Sequence, residues 1–500
     1  MDITIAGNLK TIANVAHPTH AHWQALCDLL ETFPKTELKT ALADISTHTN
    51  AWPALLKHWK ARSPSQWLHN PPPWHGLVRS VAFEDISKEG FKHFVTSPSV
   101  GKLRALDLFV AGLNEDLDPY GDEDALIGNQ GAKQLANSTH LSQLTHLNLN
   151  NNGLWPEGIE ALVKSKHLTQ LRHLDVGNSF GGDAAARALA QSSNLCKLES
   201  LNLGIDLEIL DEVFVDQMLE TDGVAAICQS PHLTNLRWLK LNNHILTTNN
   251  AAKPIGQAHH LRRLALDLSG NYGGPASIRA LLSSHLPDKY THLKLRTYDS
   301  EHGGGQGKGA GDAGDAIFDE GLQIVANANC LHALTHLDLT HNAITDVTAL
   351  ADSPNLPAMT HLSLNTNLIS AKSLHRLANS PYIDRLTHLQ LGNLYEFDLD
   401  EDDLGDHWAS ILSKATQLRS LTYLSLPLAG ITDKGAKLLA SSSSLNGLQT
   451  LDLRGNTISK EGQEALLHSP HLKCTILLDD IDDEHLDLWP FWPHPMLRHH

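Results

Sequence analysis

The chain has 500 residues, of which 41% are hydrophobic and only 5% aromatic, so it can bury a large and mainly aliphatic core, as about three ordinary domains or as one long repeat array. Its 38 Lys plus Arg against 56 Asp plus Glu give a formal charge of −18, which argues against sequence-independent binding to nucleic acid or to an anionic membrane. Five scattered cysteines without a CxxC pair argue against a disulfide framework or a zinc ribbon; with no apolar run of about 18 residues and no secretory leader pattern, the expectation is a soluble, cytoplasmic chain.

Residues 1–76 hold five of the ten tryptophans, at 23, 52, 59, 67 and 74, within helix-like stretches HWQALCDLLETF, ELKTALADI and WPALLKHWKA. The spacing predicts a small helical domain, closed by NPPPW at 70–74, that caps the end of whatever array follows.

From there the chain repeats itself. LTHLNLNNNGL from Leu144, LTHLDLTHNAI from Leu334, MTHLSLNTNLI from Met359 and LQTLDLRGNTI from Leu448 share the form LxxLxLxxNxI/L, each followed by a helical stretch such as EGIEALVKS. Alternation sends Leu147 and Leu149 inward and His146, Asn148 and Asn150 outward. One unit cannot bury its leucine face alone, so stacking is compulsory. Units begin near Val78, Leu103, Leu144, Leu171, Leu198, Leu236, Arg263, Tyr290, Leu334, Met359, Leu386, Leu421, Leu448 and Thr475, with Leu264 competing for the pocket assigned to Arg263. This pattern, over about 400 residues, resembles the leucine-rich repeat family in its ribonuclease-inhibitor-like class, in the phrasing of bacterial arrays that carry an N-terminal companion segment. The resemblance implies an α/β horseshoe solenoid of 13 to 14 repeats over 77–480, with a parallel concave sheet and outer helices. It also implies that Asn152, Asn342, Asn367 and Asn456 cap backbone groups in the turn after the strand.

Every third repeat is longer, with inserts at 109–128, 204–222, 297–320 and 392–406 directly after the strand. Together these hold 26 carboxylates and one lysine, which leaves the other 422 residues with a charge of +7. Acidic fins along one rim would favour a basic protein partner through Asp122, Glu123, Asp124, Asp211, Glu212, Asp400, Glu401, Asp402 and Asp403; they also serve solubility. Asp398, Asp400 and Asp402 alternate as calcium ligands do, but Asp403 and Ala409 stand where an EF-hand needs Gly and Glu, so no metal is expected. GGGQGK at 303–308 is followed by Gly309 where a phosphate loop needs Ser or Thr, and reads as a hinge.

The outward third strand position reads Ser80, Ala105, His146, His173, Ser200, Trp238, Ala265, His292, His336, His361, His388, Tyr423 and Thr450. On parallel strands ~4.8 Å apart these side chains stack, and a protonated histidine row would repel itself, so pKa values below 6.5 are expected. His146, His173, Trp238, His292, His336, His361, His388 and Tyr423 are therefore the candidate concave binding stripe, whether as a contact face or as a pH-sensitive one; the THL triplet copied with each repeat explains the same histidines without function. The tail at 481–500, with two tryptophans and a phenylalanine among three prolines, suits a lid over the last leucine face or a docking peptide.

No GxSxG elbow, HExxH helix or Cys/His couple stands out, so neither catalysis nor a cofactor is expected. The expected function is non-catalytic protein binding by a monomer, with no nucleic acid or membrane partner. Two alternatives come from similar repeats: GTPase regulation, which would need an Arg or Asn on a rim loop although no insert carries an Arg, and enzyme inhibition by an acidic horseshoe.

Overall fold

The computed structural model describes residues 3–32, 35–72, 74–83, 86–109, 127–179, 181–205, 218–244, 246, 249–271, 273–297, 316–392 and 404–478. They fall into two compact units, one formed by residues up to 203 with 230–236, the other by 204–229 and the chain from 237 onward.

The first unit contains α1 (Ile3–Ala13), α2 (His20–Glu31), α3 (Lys35–His48), β1 (His58–Ala61), α4 (Pro64–His69), β2 (Ser80–Phe83) and α5 (Lys88–Thr96). It continues through β3 (Ala105–Asp107), α6 (Gly128–Asn137), β4 (His146–Asn148), α7 (Pro156–Val163), β5 (His173–Asp175), α8 (Gly182–Gln191) and β6 (Ser200–Asn202). The second contains α9 (Thr221–Cys228), β7 (Trp238–Lys240), α10 (Asn249–Gln257), β8 (Leu264–Asp267), α11 (Gly274–Leu281), β9 (Tyr290–Lys294), α12 (Phe318–Ala326), β10 (His336–Asp338) and α13 (Thr348–Ala351). After these come β11 (His361–Ser363), α14 (Ala371–Ala378), β12 (His388–Gln390), α15 (Leu404–Lys414), β13 (Tyr423–Ser425), α16 (Asp433–Ala440), β14 (Thr450–Asp452), α17 (Lys460–Leu467) and β15 (Thr475–Leu477).

Within each unit consecutive strands pair in parallel, in chain order, with third positions opposite one another: His146 with His173, and His336 with His361, His388, Tyr423 and Thr450 in succession. Each unit is thus an α/β leucine-rich-repeat solenoid. The strand centres Leu147, Leu174, Leu337, Leu362, Leu389, Leu424 and Leu451 are buried, each burial contributing about 2 kcal/mol. Most repeat helices have 8 to 11 residues, too short to persist alone, so packing onto this leucine wall holds them.

Polar ladders tie the repeats together. Asn367 donates to the carbonyls of Leu339, Leu364 and Asn365 and accepts from the amides of Asn342 and Ile344; Asn152, Asn342 and Asn456 likewise donate to a carbonyl of the preceding repeat, those of Leu108, Leu295 and Leu426. On the helix-to-strand side, Ser165, Ser230, Ser353 and Ser469 each donate to the carbonyl of Ala136, Ala190, Ala326 and Ala440 in the preceding repeat. That serine ladder explains the SPHL phrase.

Four sequence expectations change. WPALLKHWKA is not a helix: β1 lies within it and pairs with β2, because Trp59 and Ala61 alternate inward while His58 takes the ladder position opposite Ser80. Its tryptophans bind this end together, with the Trp59 ring 5.5 Å from Trp67 and 5.8 Å from Trp74, and the Trp23 indole N–H donating to the carbonyl of His58 at 2.7 Å. Arg263 does not fill the core pocket. Leu264 takes it, with a register shift before Ala265 and Arg263 at φ +53°; burying a leucine outweighs the ~1–2 kcal/mol of a left-handed residue. Thr475 does not begin the last unit but occupies its third position, opposite Thr450. Finally, the ends of the inserts are helix: α12 begins at Phe318 and α15 at Leu404.

Candidate functional site

In the second unit the outward third positions form one continuous aromatic row. The His292 and His336 ring centroids lie 4.1 Å apart, His336 and His361 3.8 Å, His361 and His388 4.0 Å, and His388 and Tyr423 5.6 Å, all stacked within 24° of parallel. Trp238 joins the other end, 5.2 Å from His292, because Ala265 on the intervening strand is too small to separate them.

Each histidine is held by the threonine before it. Thr335 Oγ1 donates to the carbonyl of Thr291 and lies 2.8 Å from His336 Nδ1; Thr360 and Thr387 repeat the arrangement with His361 and His388. A hydroxyl has one proton, so each threonine can donate to the neighbouring strand's carbonyl or to the ring, and the ring nitrogen takes the complementary role. The THL triplet therefore ties each ring, through its threonine, to the preceding strand. Burial, then the charge of neighbouring histidines, pulls His336 and His361 down to about 3; burial pulls His292 and His388 down to about 4. The row is neutral at pH 7. This agrees in direction with the expected depression. Among the described residues no group of three or more His, Cys, Asp or Glu is placed to hold a metal.

The first unit differs. Its ladder has a single histidine pair, His146 and His173, 4.1 Å apart, with His146 lowered to about 3 by burial and then by His173 and Arg172. Ser80, Ala105 and Ser200 flank that pair with small side chains. Two positions further along the strands, Asp107, Asn148, Asp175 and Asn202 form an amide and carboxylate ladder in which Asn150 and Asn202 donate to Asp175 Oδ1 at 3.1 and 2.9 Å. Burial pushes the Asp107 carboxyl up to about 6, with the Asp175 charge adding to it. His58 belongs to this row too, its Nδ1 2.8 Å from Ser80 Oγ; it was missed because its segment reads as helical, although the Trp59/Ala61 alternation carried the signal.

The acidic candidates Asp122, Glu123, Asp124, Asp211, Glu212, Asp400, Glu401, Asp402 and Asp403 lie outside the described residues, as does the tail at 481–500. Two carboxylates counted with them have structural work. Asp406 accepts from the amides of Thr432 and Gly435 and the hydroxyl of Thr432, and Asp319 accepts from the amides of Thr345 and Asp346, each linking one repeat to the next. Sequence reasoning also missed two buried lysines. Lys289 donates to the carbonyl of Ala258 and Lys57 to that of Thr49, and burial pulls both down to about 8. Among the described residues no helix is long and apolar enough to cross a membrane.

Four segments, 140–163, 331–351, 417–440 and 446–467, match a family model described as Leucine Rich repeat. Among solved structures, an internalin of Listeria monocytogenes is 19% identical over 84% of this chain and 93% of its own, with a TM-score of 0.41. A leucine-rich repeat protein of Leptospira interrogans is 18% identical over 81% and 92%, with a TM-score of 0.37. A chain of the Rad7 and Elc1 complex in yeast is 14% identical over 94% and 92%, with a TM-score of 0.39. No curated protein matches the chain.

Proposed function

The chain is a leucine-rich repeat protein, and on that premise we propose that it is a non-catalytic scaffold that binds another protein through the open face of its second unit. The observation that carries this reading is the unbroken row from Trp238 to Tyr423. Its rings are neutral at pH 7, so covering them costs far less than covering a charged row, and Trp and Tyr are residue types that anchor interfaces.

The acidic inserts support a partner with a basic surface beside the contact, since most of their carboxylates have no counter-charge nearby in sequence. Free cysteines, with Cys27, Cys228 and Cys330 buried, suit a reducing compartment such as the cytoplasm. Affinity capture from native extract tests both parts. Asp400→Lys/Glu401→Lys/Asp402→Lys/Asp403→Lys should leave the fold intact and abolish capture of a basic partner, and His336→Ala/His361→Ala should weaken any partner. Unchanged capture by the first variant rejects the acidic contribution; unchanged capture by the second rejects the aromatic face.

A further inference from the structure

The position just before the outward ladder is filled differently in the two units. In the second it holds Thr291, Thr335, Thr360, Thr387 and Thr422, and each hydroxyl donates to a carbonyl of the preceding repeat. In the first unit Thr145 does the same, but Lys57, Arg79, Arg104 and Arg172 also hold this position. The backbone sets the first three side by side, with the Arg79 amide on the Lys57 carbonyl and the Arg104 amide on that of Arg79. Arg172 is paired with Glu199. Arg79 and Arg104 are half-buried and have no carboxylate partner among the described residues. Each donates through Nη1 alone, Arg79 to the carbonyls of Gly76 and Val78 and Arg104 to those of Lys102 and Leu103, so Nη2 and Nε of both guanidiniums have no acceptor among these residues. Lys57 lies behind them, its ammonium donating to the carbonyl of Thr49; burial, then Arg79 and Arg104, pull it down to about 8, and burial, then Arg104, lowers Arg79. Three like charges held together without a counter-charge cost stability, and a bound anion removes that cost.

We infer that Arg79 and Arg104 form a docking site for a short acidic segment of a partner protein, with one carboxylate on each guanidinium. The two lie on neighbouring strands, about 4.8 Å apart at the backbone, and an extended peptide sends alternate side chains to one side about 6.6 Å apart, a difference that flexible arginine stems absorb. A guanidinium fork meets a carboxylate through two N–H groups, which a single ammonium cannot do. A nucleic acid strand offers anions too, but it carries charge along its whole length and the −18 of the chain opposes it, whereas a short segment needs only two carboxylates. The inference is independent of which protein the second unit binds.

Fluorescence anisotropy with the full chain at low salt tests it, the probe being a labelled peptide of about ten residues in which Glu and Gly alternate. The peptide should bind the wild type, bind Arg79→Gln/Arg104→Gln at least tenfold more weakly, and bind Lys133→Gln/Lys166→Gln, which removes the same charge from exposed positions elsewhere in the first unit, as tightly as the wild type. Arg79→Lys/Arg104→Lys, which keeps the charge and loses the forks, should fall between. If the glutamine pair lowers Tm, Arg104→Gln alone carries the test with a roughly threefold loss, since its backbone bonds are long, at 3.4 and 3.5 Å. Absence of binding overturns the inference, as does an equal loss in the arginine and lysine variants, which would mean that only net charge is felt. Tighter binding of an oligothymidylate of the same length assigns the pair to nucleic acid, and a dimer of the chain that Arg79→Gln/Arg104→Gln dissociates assigns it to a second copy; either result overturns the inference equally.

Discussion

The two ladders of outward residues rest on the same scaffold and carry different chemistry. In both units most inward strand centres are leucine and turns are held by asparagine, because burial favours a large apolar side chain and backbone groups in the turn need partners. Outward, the first unit has small residues, one histidine pair and a carboxylate and amide ladder, whereas the second has an aromatic row from Trp238 to Tyr423. The fold does not impose that difference, so it is where the two units can differ in function.

The largest expected effect separates inward from outward on a single strand. Leu362→Ala should cost about 2–5 kcal/mol in denaturant unfolding, and His361→Gln on the same strand about 0.5 kcal/mol at pH 7. Comparable losses would show that the row is part of the core and dissolve the contrast. Asn367→Ala, which removes five hydrogen bonds, three of them to the preceding repeat, should cost about 1–3 kcal/mol by the same measurement; a neutral result would mean that the asparagine ladder does not join the repeats.

Smaller effects of opposite sign should appear with pH. The unfolded chain takes up protons at histidine from about pH 6.5 downward, while the folded row resists until about 4 to 3. Stability is therefore full above pH 6.5 and is lost as pH falls through that window, and His336→Gln/His361→Gln should flatten the fall in Tm between pH 7.5 and 4.5. Asp107 acts the other way, since its raised pKa means that the folded state keeps a proton the unfolded chain releases above about 4. Asp107→Asn should raise Tm more at pH 7.5 than at pH 4. A Tm profile identical to wild type in either variant would show that the residue titrates as it does unfolded.

Most of the second ladder was legible residue by residue, because period-two alternation and the LxxLxLxxN frame fix which side chain points outward. The way each ring is held was not, since Thr335, Thr360 and Thr387 bridge it to the neighbouring strand, which is a cross-repeat contact. The same limit hid β1, whose apolar spacing fits a helix until pairing with β2 decides it, and the bulge at Arg263, where two residues compete for one pocket. Asp319 and Asp406 read as rim charge for a similar reason: their partners lie 26 to 29 residues further on.

The most direct measurement is the affinity of a captured partner for three full-length proteins at pH 7.4 and moderate salt. These are the wild type, His336→Ala/His361→Ala/Tyr423→Ala on the open face, and Lys434→Glu/Lys460→Glu on the outer helices α16 and α17. Binding weakened at least tenfold by the first variant and unaffected by the second is the expected result. Equal affinity in all three would contradict the assignment of the aromatic row as the contact face.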